Sequence, residues 1–316
     1  MKLTTLHPTF TKRGLCFHLC NSARVWFITG ISSGFGRSLT EAVLKKGDRV
    51  VATARKPEKL SELVNQYPET AKAIRVDVTE TQELRDAVNS ALDTFGRIDV
   101  LINNAGYGSL GAIEEVSDEA IRYQFETNVF GALNVTRAVL PHLRQQRSGH
   151  ILNLSSVAGM VAFGGTGIYS GTKFALEGLS EALAKETAPL GIKVTIVEPG
   201  AFRTDFNGRT EQKRGRRQPS LALPEQEIDD YASTSGEFLN WARDVDGKQP
   251  GNPDKTAEAM IQAIESDNPP LRLALGEDSV NAISDKIESV KADLNTWKQV
   301  SLSTGFEGAE VGAIGG

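Results

Sequence analysis

Short, nearly unbroken β-branched and aliphatic runs alternate along this chain with amphipathic stretches of helix length. The runs cover 25–29, 50–54, 73–76, 100–103, 151–154, 193–197 and 271–275; the helical stretches between them include 37–46, 81–95 and 174–186. A strand that is apolar along its whole length is buried on both faces. Strands separated by helices pair in parallel through right-handed crossovers. The pattern predicts an α/β fold: one doubly wound, mostly seven-stranded parallel sheet spanning 24–304. The polar stretch 205–253 interrupts the rhythm and predicts a small helical lid around Phe238, Leu239 and Trp241.

Composition narrows the function. Of 316 residues, 40% are apolar and 24% charged, which suits a packed core and excludes a disordered chain. Lysine and arginine total 35 against 40 acids, a net charge of −5, which argues against a nucleic-acid partner. No apolar run approaches the roughly 20 residues of a membrane-spanning helix, so no integral membrane span is expected. The two cysteines, Cys16 and Cys20, exclude a disulfide scaffold and favour a reducing, cytoplasmic setting. With His18 they supply too few ligands for zinc, so no metal is expected. Residues 1–23 contain no acid and read as a disordered tail or a mitochondrial targeting segment. Residues 305–316 are glycine-rich and read as a second disordered tail. Within the interruption, Arg209, Lys213, Arg214, Arg216 and Arg217 form a basic cluster, read as a solvated loop or an acid-binding feature.

Directly after the first run comes TGISSGFGR, residues 29–37. Gly30, Gly34 and Gly36 stand at a strand-to-helix turn, with Ser32, Ser33 and Phe35 between them. Glycine lets the backbone turn sharply and lets a phosphate approach the amides. The following helix offers unpaired N–H groups and a positive dipole end. This turn can hold a pyrophosphate. Arg55 ends the second run, nineteen residues beyond Gly36, and no acid intervenes before Glu58. An acid there would bind the ribose hydroxyls of NAD, whereas a cation pairs with the 2′-phosphate of NADP. NADP(H) is therefore expected over NAD(H), with Arg55 as reader and Lys56 as helper. Asp77 and Val78 follow the third run, where adenine would lie. Asn104, Ala105 and Gly106 close the fourth run; Pro199, Gly200 and Thr204 follow the sixth, where a nicotinamide carboxamide would be held.

The segment YSGTK puts Tyr169 and Lys173 four residues apart, on one face of a helix. An ammonium beside a phenol favours the phenolate and lowers its pKa, which would let Tyr169 exchange a proton near neutral pH. Ser156, thirteen residues upstream, is placed to hold the reacting oxygen, with Ser155 as competitor. Asn128, in FETNVFG, offers an amide that would hold a water beside Lys173 or serve helix packing.

Together TGxxxGxG, NNAG, Asn128, Ser156, YxxxK and PGxxxT resemble the short-chain dehydrogenase/reductase superfamily over roughly 24–300. The resemblance implies a Rossmann-like single domain binding NAD(P)H. It assigns Tyr169 as acid/base, Ser156 as oxygen stabiliser, Lys173 as modulator of the tyrosine and ribose binder, and Asn128 as water holder. YSGTKFALEGLSEAL is also similar to the steroid- and retinol-dehydrogenase-like branch. The expected reaction is hydride exchange between nicotinamide and the carbonyl or alcohol of an apolar small molecule. Tyr107, Met160, Phe163, Phe202 and the segment 205–245 would wall the substrate, and Phe206, Tyr231, Phe238 and Trp241 would form an apolar lid or pack a satellite core. An epimerase or dehydratase of the same superfamily, and a non-catalytic NADP(H) sensor, remain alternatives. Pairing into a homodimer or homotetramer is expected through helices over 118–140 and 169–188.

Overall fold

The computed structural model describes residues 23–204, 206, 221–224, 226–306, 308–309 and 312. The expectations for residues 1–22, for the cluster Cys16, His18 and Cys20, for the basic cluster between Arg209 and Arg217, and for part of the carboxyl-terminal tail fall outside the described residues.

The strands are β1 (Val25–Thr29), β2 (Arg49–Ala54), β3 (Ala71–Arg75), β4 (Val100–Asn103), β5 (Gly108–Ser109), β6 (Gly149–Leu154), β7 (Ile192–Pro199), β8 (Leu221–Ala222) and β9 (Arg272–Leu275). Seven form a parallel sheet in the order β3-β2-β1-β4-β6-β7-β9, and β5 pairs with β8 in a small separate ribbon. The helices are α1 (Gly34–Lys45), α2 (Ser61–Gln66), α3 (Thr81–Phe95), α4 (Asp118–Phe125), α5 (Ala132–Gln146), α6 (Gly167–Thr187), α7 (Glu237–Asp244), α8 (Pro253–Glu265) and α9 (Glu277–Leu302).

Alternate residues of each strand serve opposite faces, as the pleat requires. Trp26, Ile28, Ile102 and Leu152 join one core cluster with Leu39 and Val43 of α1 and Met260 and Ile264 of α8. Phe27, Leu101 and Ile151 join the other, with Leu84 and Val88 of α3 and Val135 and Val139 of α5. The chain winds outward from β1 to β3, returns, and winds the other way from β4. The reversal leaves a crevice at the carboxyl ends of β1 and β4, where an open α/β sheet presents its site.

Each strand anticipated from the sequence is present, with ends moved by three residues or fewer, and α3 spans Thr81–Phe95 as expected. Three features escape the periodicity. The strands β5 and β8 have two residues each, too few to show alternation. A π-helical turn, Glu126–Gly131, sits between α4 and α5 and reads in sequence as one continuous helix. The third is α9, which is tied down at its first turn, where Ser279 Oγ donates to the Glu198 carbonyl and Asp278 Oδ2 accepts from the Ala201 N–H. Farther along, Ile287, Leu294 and Trp297 are exposed.

The crevice is closed at its base by Asn104. Its amide donates to the carbonyls of Thr29 and Gly30 at 2.8 and 2.9 Å, and the Asn104 and Ala105 N–H groups both donate to Thr29 Oγ1 at 3.0 Å. These bonds fasten the turn after β1 to the end of β4. Gly36 is the residue that permits this contact: an added Cβ would lie 2.5 Å from Asn104 Nδ2 and 2.8 Å from the Gly30 carbonyl. Substituting Gly36→Ala should destabilise the protein by about 1–3 kcal/mol through overpacking. Urea unfolding measures this, and wild-type stability in the variant would contradict the packing argument.

Candidate active site

A cleft of about 1070 Å³ runs along the carboxyl ends of the strands. Among the residues nominated for cofactor binding, Gly30, Ser32, Ser33, Gly34, Phe35, Arg55, Asp77, Val78, Asn104, Ala105, Gly106, Tyr169, Lys173, Pro199, Gly200 and Thr204 all line it. Gly36 is the exception, because it packs behind the turn.

The turn has the features an anion needs. Gly34 holds a left-handed backbone (φ +59°) and opens α1 beneath Thr204. Ser33 occupies the cap position with extended backbone, yet its side chain makes no cap bond and no acid stands in the first turn. The leading amides of α1 thus lack a side-chain acceptor and face the cleft, so a pyrophosphate fits there. Arg55 and Lys56 are exposed on the cleft wall. Lys59 joins them, brought round by the 3-10 turn Pro57–Leu60. The sequence reading missed Lys59, although Pro57 beside Lys56 signals the tight turn that returns it. Asp77 is engaged with its own loop, its Oδ1 accepting from Thr79 N–H at 3.1 Å and Thr79 Oγ1 at 2.8 Å.

Farther along the cleft, α6 begins at Gly167, so Tyr169 lies in its first turn and Lys173 one turn on. Lys173 is 7% exposed, and its ammonium donates to the Leu154 carbonyl at 2.6 Å. It stands 5.8 Å from the centroid of the Tyr169 ring. Burial pushes the ammonium down to about 8, against the opposing pull of Glu177. Burial also pushes the Tyr169 phenol up to about 12, and only a hydrogen bond with Ser156 works the other way. This corrects the expectation that the neighbouring ammonium lowers the phenol. Although an edge of the ring reaches the cleft, desolvation sets the direction, and Lys173 bonds to the Leu154 carbonyl instead of the phenol oxygen.

The two serines divide. Ser156 opens the 3-10 turn Val157–Gly159, where its Oγ accepts from Ala158 N–H at 3.1 Å beside the phenol. Ser155 faces Glu177: an added Cβ on Gly159 would lie 2.5 Å from the Ser155 hydroxyl and 3.1 Å from Glu177 Oε1. Asn128 stands in the π turn, 2% exposed, and is absent from the cleft wall. Its carbonyl accepts from Tyr107 N–H at 3.0 Å, and its amide donates to the Tyr107 carbonyl at 2.8 Å and Thr172 Oγ1 at 3.1 Å. These bonds fix the loop after β4 against α6, and Asn128 Oδ1 and Lys173 Nζ both lie near Gly106, 3.1 and 3.9 Å from where its Cβ would stand.

The remaining wall is aromatic. Phe163 stacks on Phe238 with centroids 5.9 Å apart, Phe238 meets Trp241 at 5.2 Å, and Phe206 meets Tyr169 at 5.8 Å. Lid and satellite core are both present on α7. Leu239 and Ala242 join Leu110 and Leu221 in a small buried cluster, while Phe238 and Trp241 line the cleft. Met160 and Tyr231 do not line it; the Tyr231 hydroxyl donates to Glu114 at 2.9 Å. Tyr123, Gln249 and Asp278 line it without having been anticipated. They arrive from elements whose placement depends on tertiary packing. Among the described residues no helix is long and apolar enough to cross a membrane.

Known proteins resemble this chain in sequence and fold. The family model described as short chain dehydrogenase matches residues 24–215. The oxidoreductase BOA17 of Botryotinia fuckeliana is 40% identical over 282 residues, covering 89% of this chain and 99% of that protein. The 3-ketodihydrosphingosine reductase of Bacteroides thetaiotaomicron is 37% identical over 257 residues, covering 80% and 88%. A short-chain dehydrogenase structure from Streptomyces avermitilis superposes with TM-score 0.82 at 44% identity, covering 90% of this chain and all of that one. ElxO with NADP bound superposes with TM-score 0.66 at 25% identity, covering 82% and 99%. The chain belongs to the short-chain dehydrogenase family and is an NAD(P)-dependent oxidoreductase.

Proposed function

We propose that this enzyme reduces the carbonyl of an apolar ketone or aldehyde, with NADPH preferred over NADH. The observation that carries this reading is one continuous cleft with a phosphate-ready turn and three cations at one end, and a neutral phenol in an aromatic pocket at the other. Arg55, Lys56 and Lys59 are suited to a 2′-phosphate because Glu58, between them in sequence, does not line the cleft, and Asp77 on the adjoining wall is bonded to Thr79 in its own loop. The ElxO complex with NADP and the relative named as a keto-compound reductase support the same assignment.

When bound, the nicotinamide supplies the hydride that the carbonyl carbon takes up. Tyr169, protonated at neutral pH, is the proton donor to the carbonyl oxygen. Ser156 shares a hydrogen bond with that phenol and steadies the same oxygen. Lys173, still charged at pH 7, stabilises the phenolate left after the transfer. Phe163, Phe206, Phe238 and Trp241 exclude water and favour an apolar substrate over a sugar phosphate. Pairing of copies through α4–α5 and α6 is proposed on the exposure of Phe130, Phe174 and Leu179 along those helices.

Tyr169→Phe should lower kcat for ketone reduction by about 10²–10⁴-fold while NADPH binding persists. A panel of apolar ketones with NADPH, followed at the nicotinamide absorbance, tests this, and an active Tyr169→Phe enzyme would refute the assignment. Arg55→Asp should cost NADPH affinity about 10–100-fold, the worth of a charge-assisted bond, and improve NADH in relative terms. Fluorescence titration with both nucleotides reads it; unchanged selectivity contradicts it. Reduction requires charged Lys173, so kcat/KM should fall as pH rises through about 8. The phenol stays protonated over that range, and a pH–rate profile whose first alkaline loss comes near 12 would assign the limb to Tyr169 instead.

A further inference from the structure

Behind the phenol and its lysine lies a buried acidic pair that the reaction above does not use. Glu177 follows Lys173 by four residues on α6, so the two side chains share a face, one turn apart. Glu177 is 4% exposed, and Glu198 of β7 is 1% exposed. Arg272 of β9 sits against both: its Nε lies 3.3 Å from Glu177 Oε2 and 3.5 Å from Glu198 Oε1. The same guanidinium is also committed outward, its Nη2 3.0 Å from Glu181 Oε2. Three carboxyls therefore compete for one cation, two of them away from water. Among the described residues, neither oxygen of Glu177 nor Oε1 of Glu198 closes a well-formed hydrogen bond, so charge governs the group.

Ionising both carboxyls beside one shared cation is unfavourable. Burial and the Glu177 charge push Glu198 up to about 7. Burial raises Glu177 as well, but the Ser155 hydroxyl and Arg272 favour its charged form. Arg272 lies closer to Glu177 than to Glu198 and Ser155 also faces Glu177, so the charge is favoured on Glu177 and the proton on Glu198. The charged groups facing the pair are Lys173 and Glu181 from α6 and Arg272 from β9; Asp278 of α9 is turned to the Ala201 N–H.

We infer that Glu177 is a positioning residue that keeps buried Lys173 cationic, and that Glu198 holds the proton that leaves Glu177 negative. The inference rests on the acid–base reading of Tyr169 and Lys173. It adds a reason why a lysine removed from water, with a carbonyl as its hydrogen-bond acceptor, retains charge at working pH. Arg272 is shared with Glu181, so with Glu198 neutral one cation faces two carboxylates, and the charge of Glu177 is not cancelled where it faces Lys173.

The test follows the Lys173 side chain itself. In full-length protein labelled with 13C at lysine Cε, the Lys173 resonance is the one absent from Lys173→Arg. Glu177→Gln should lower its titration midpoint by about one pH unit or more. Glu198→Gln, which mimics the protonated acid, should leave the midpoint where it is. Glu177→Asp keeps the charge but withdraws it by one methylene, and should give a smaller downward shift. That variant keeps the test decisive should Glu177→Gln fail to fold. Equal shifts in Glu177→Gln and Glu198→Gln, or no shift in either, would overturn the inference. The alkaline limb of kcat/KM should move with the midpoint. A moved midpoint with a stationary limb would uphold the Glu177–Lys173 coupling and refute the catalytic reading beneath it, so the two failures are distinguishable.

Discussion

An ammonium buried to 7% exposure, resting on the Leu154 carbonyl, is the constraint on which the chemistry of this fold depends. Desolvation acts in opposite directions on the two members of the pair: it raises an acid that ionises to an anion and lowers a base that protonates to a cation. Both effects favour neutral forms. The phenol near 12 thus keeps its proton, while the ammonium near 8 keeps its charge by a small margin. A site in this condition is prepared to give a proton rather than to take one, which is why the proposed direction is reduction.

The fold supplies that condition through the ends of its strands. The Leu154 carbonyl ends β6, Ser155 follows it, and Glu198 sits near the end of β7, all three buried, while Ser156 is half-buried at the cleft wall. Because α6 starts at Gly167, the tyrosine falls in the first turn, where it reaches the cleft, and the lysine one turn deeper, where it does not leave the protein. The loop after β4 is held against the same helix by Asn128 through Tyr107 and Thr172. The π turn is what swings that asparagine inward between α4 and α5.

Much of this was legible in the sequence because it is periodic or local. Continuous apolar runs gave the sheet, and glycine spacing gave the turn after β1. A four-residue interval gave the shared face of Tyr169 and Lys173. What was not legible depends on surroundings assembled from distant segments. The sign of the phenol shift follows from burial, which no spacing reports. Glu177 and Glu198 are 21 positions apart and meet only because β7 lies beside α6 and β9 brings Arg272 between them. The bonding of Asn128 likewise needed the backbone of Tyr107, and Lys59 needed the path of a 3-10 turn.

The two ends of the cleft differ in how much change they tolerate. Arg55, Lys56 and Lys59 stand on a solvent-facing loop, where replacements usually alter stability by no more than about 0.5 kcal/mol. Lys173, Glu177 and Glu198 are enclosed, and stranding one charge of such a set costs about 3–5 kcal/mol. Drift in nucleotide choice is therefore thermodynamically cheap for this architecture, whereas its proton-handling interior can be altered only by concerted replacement.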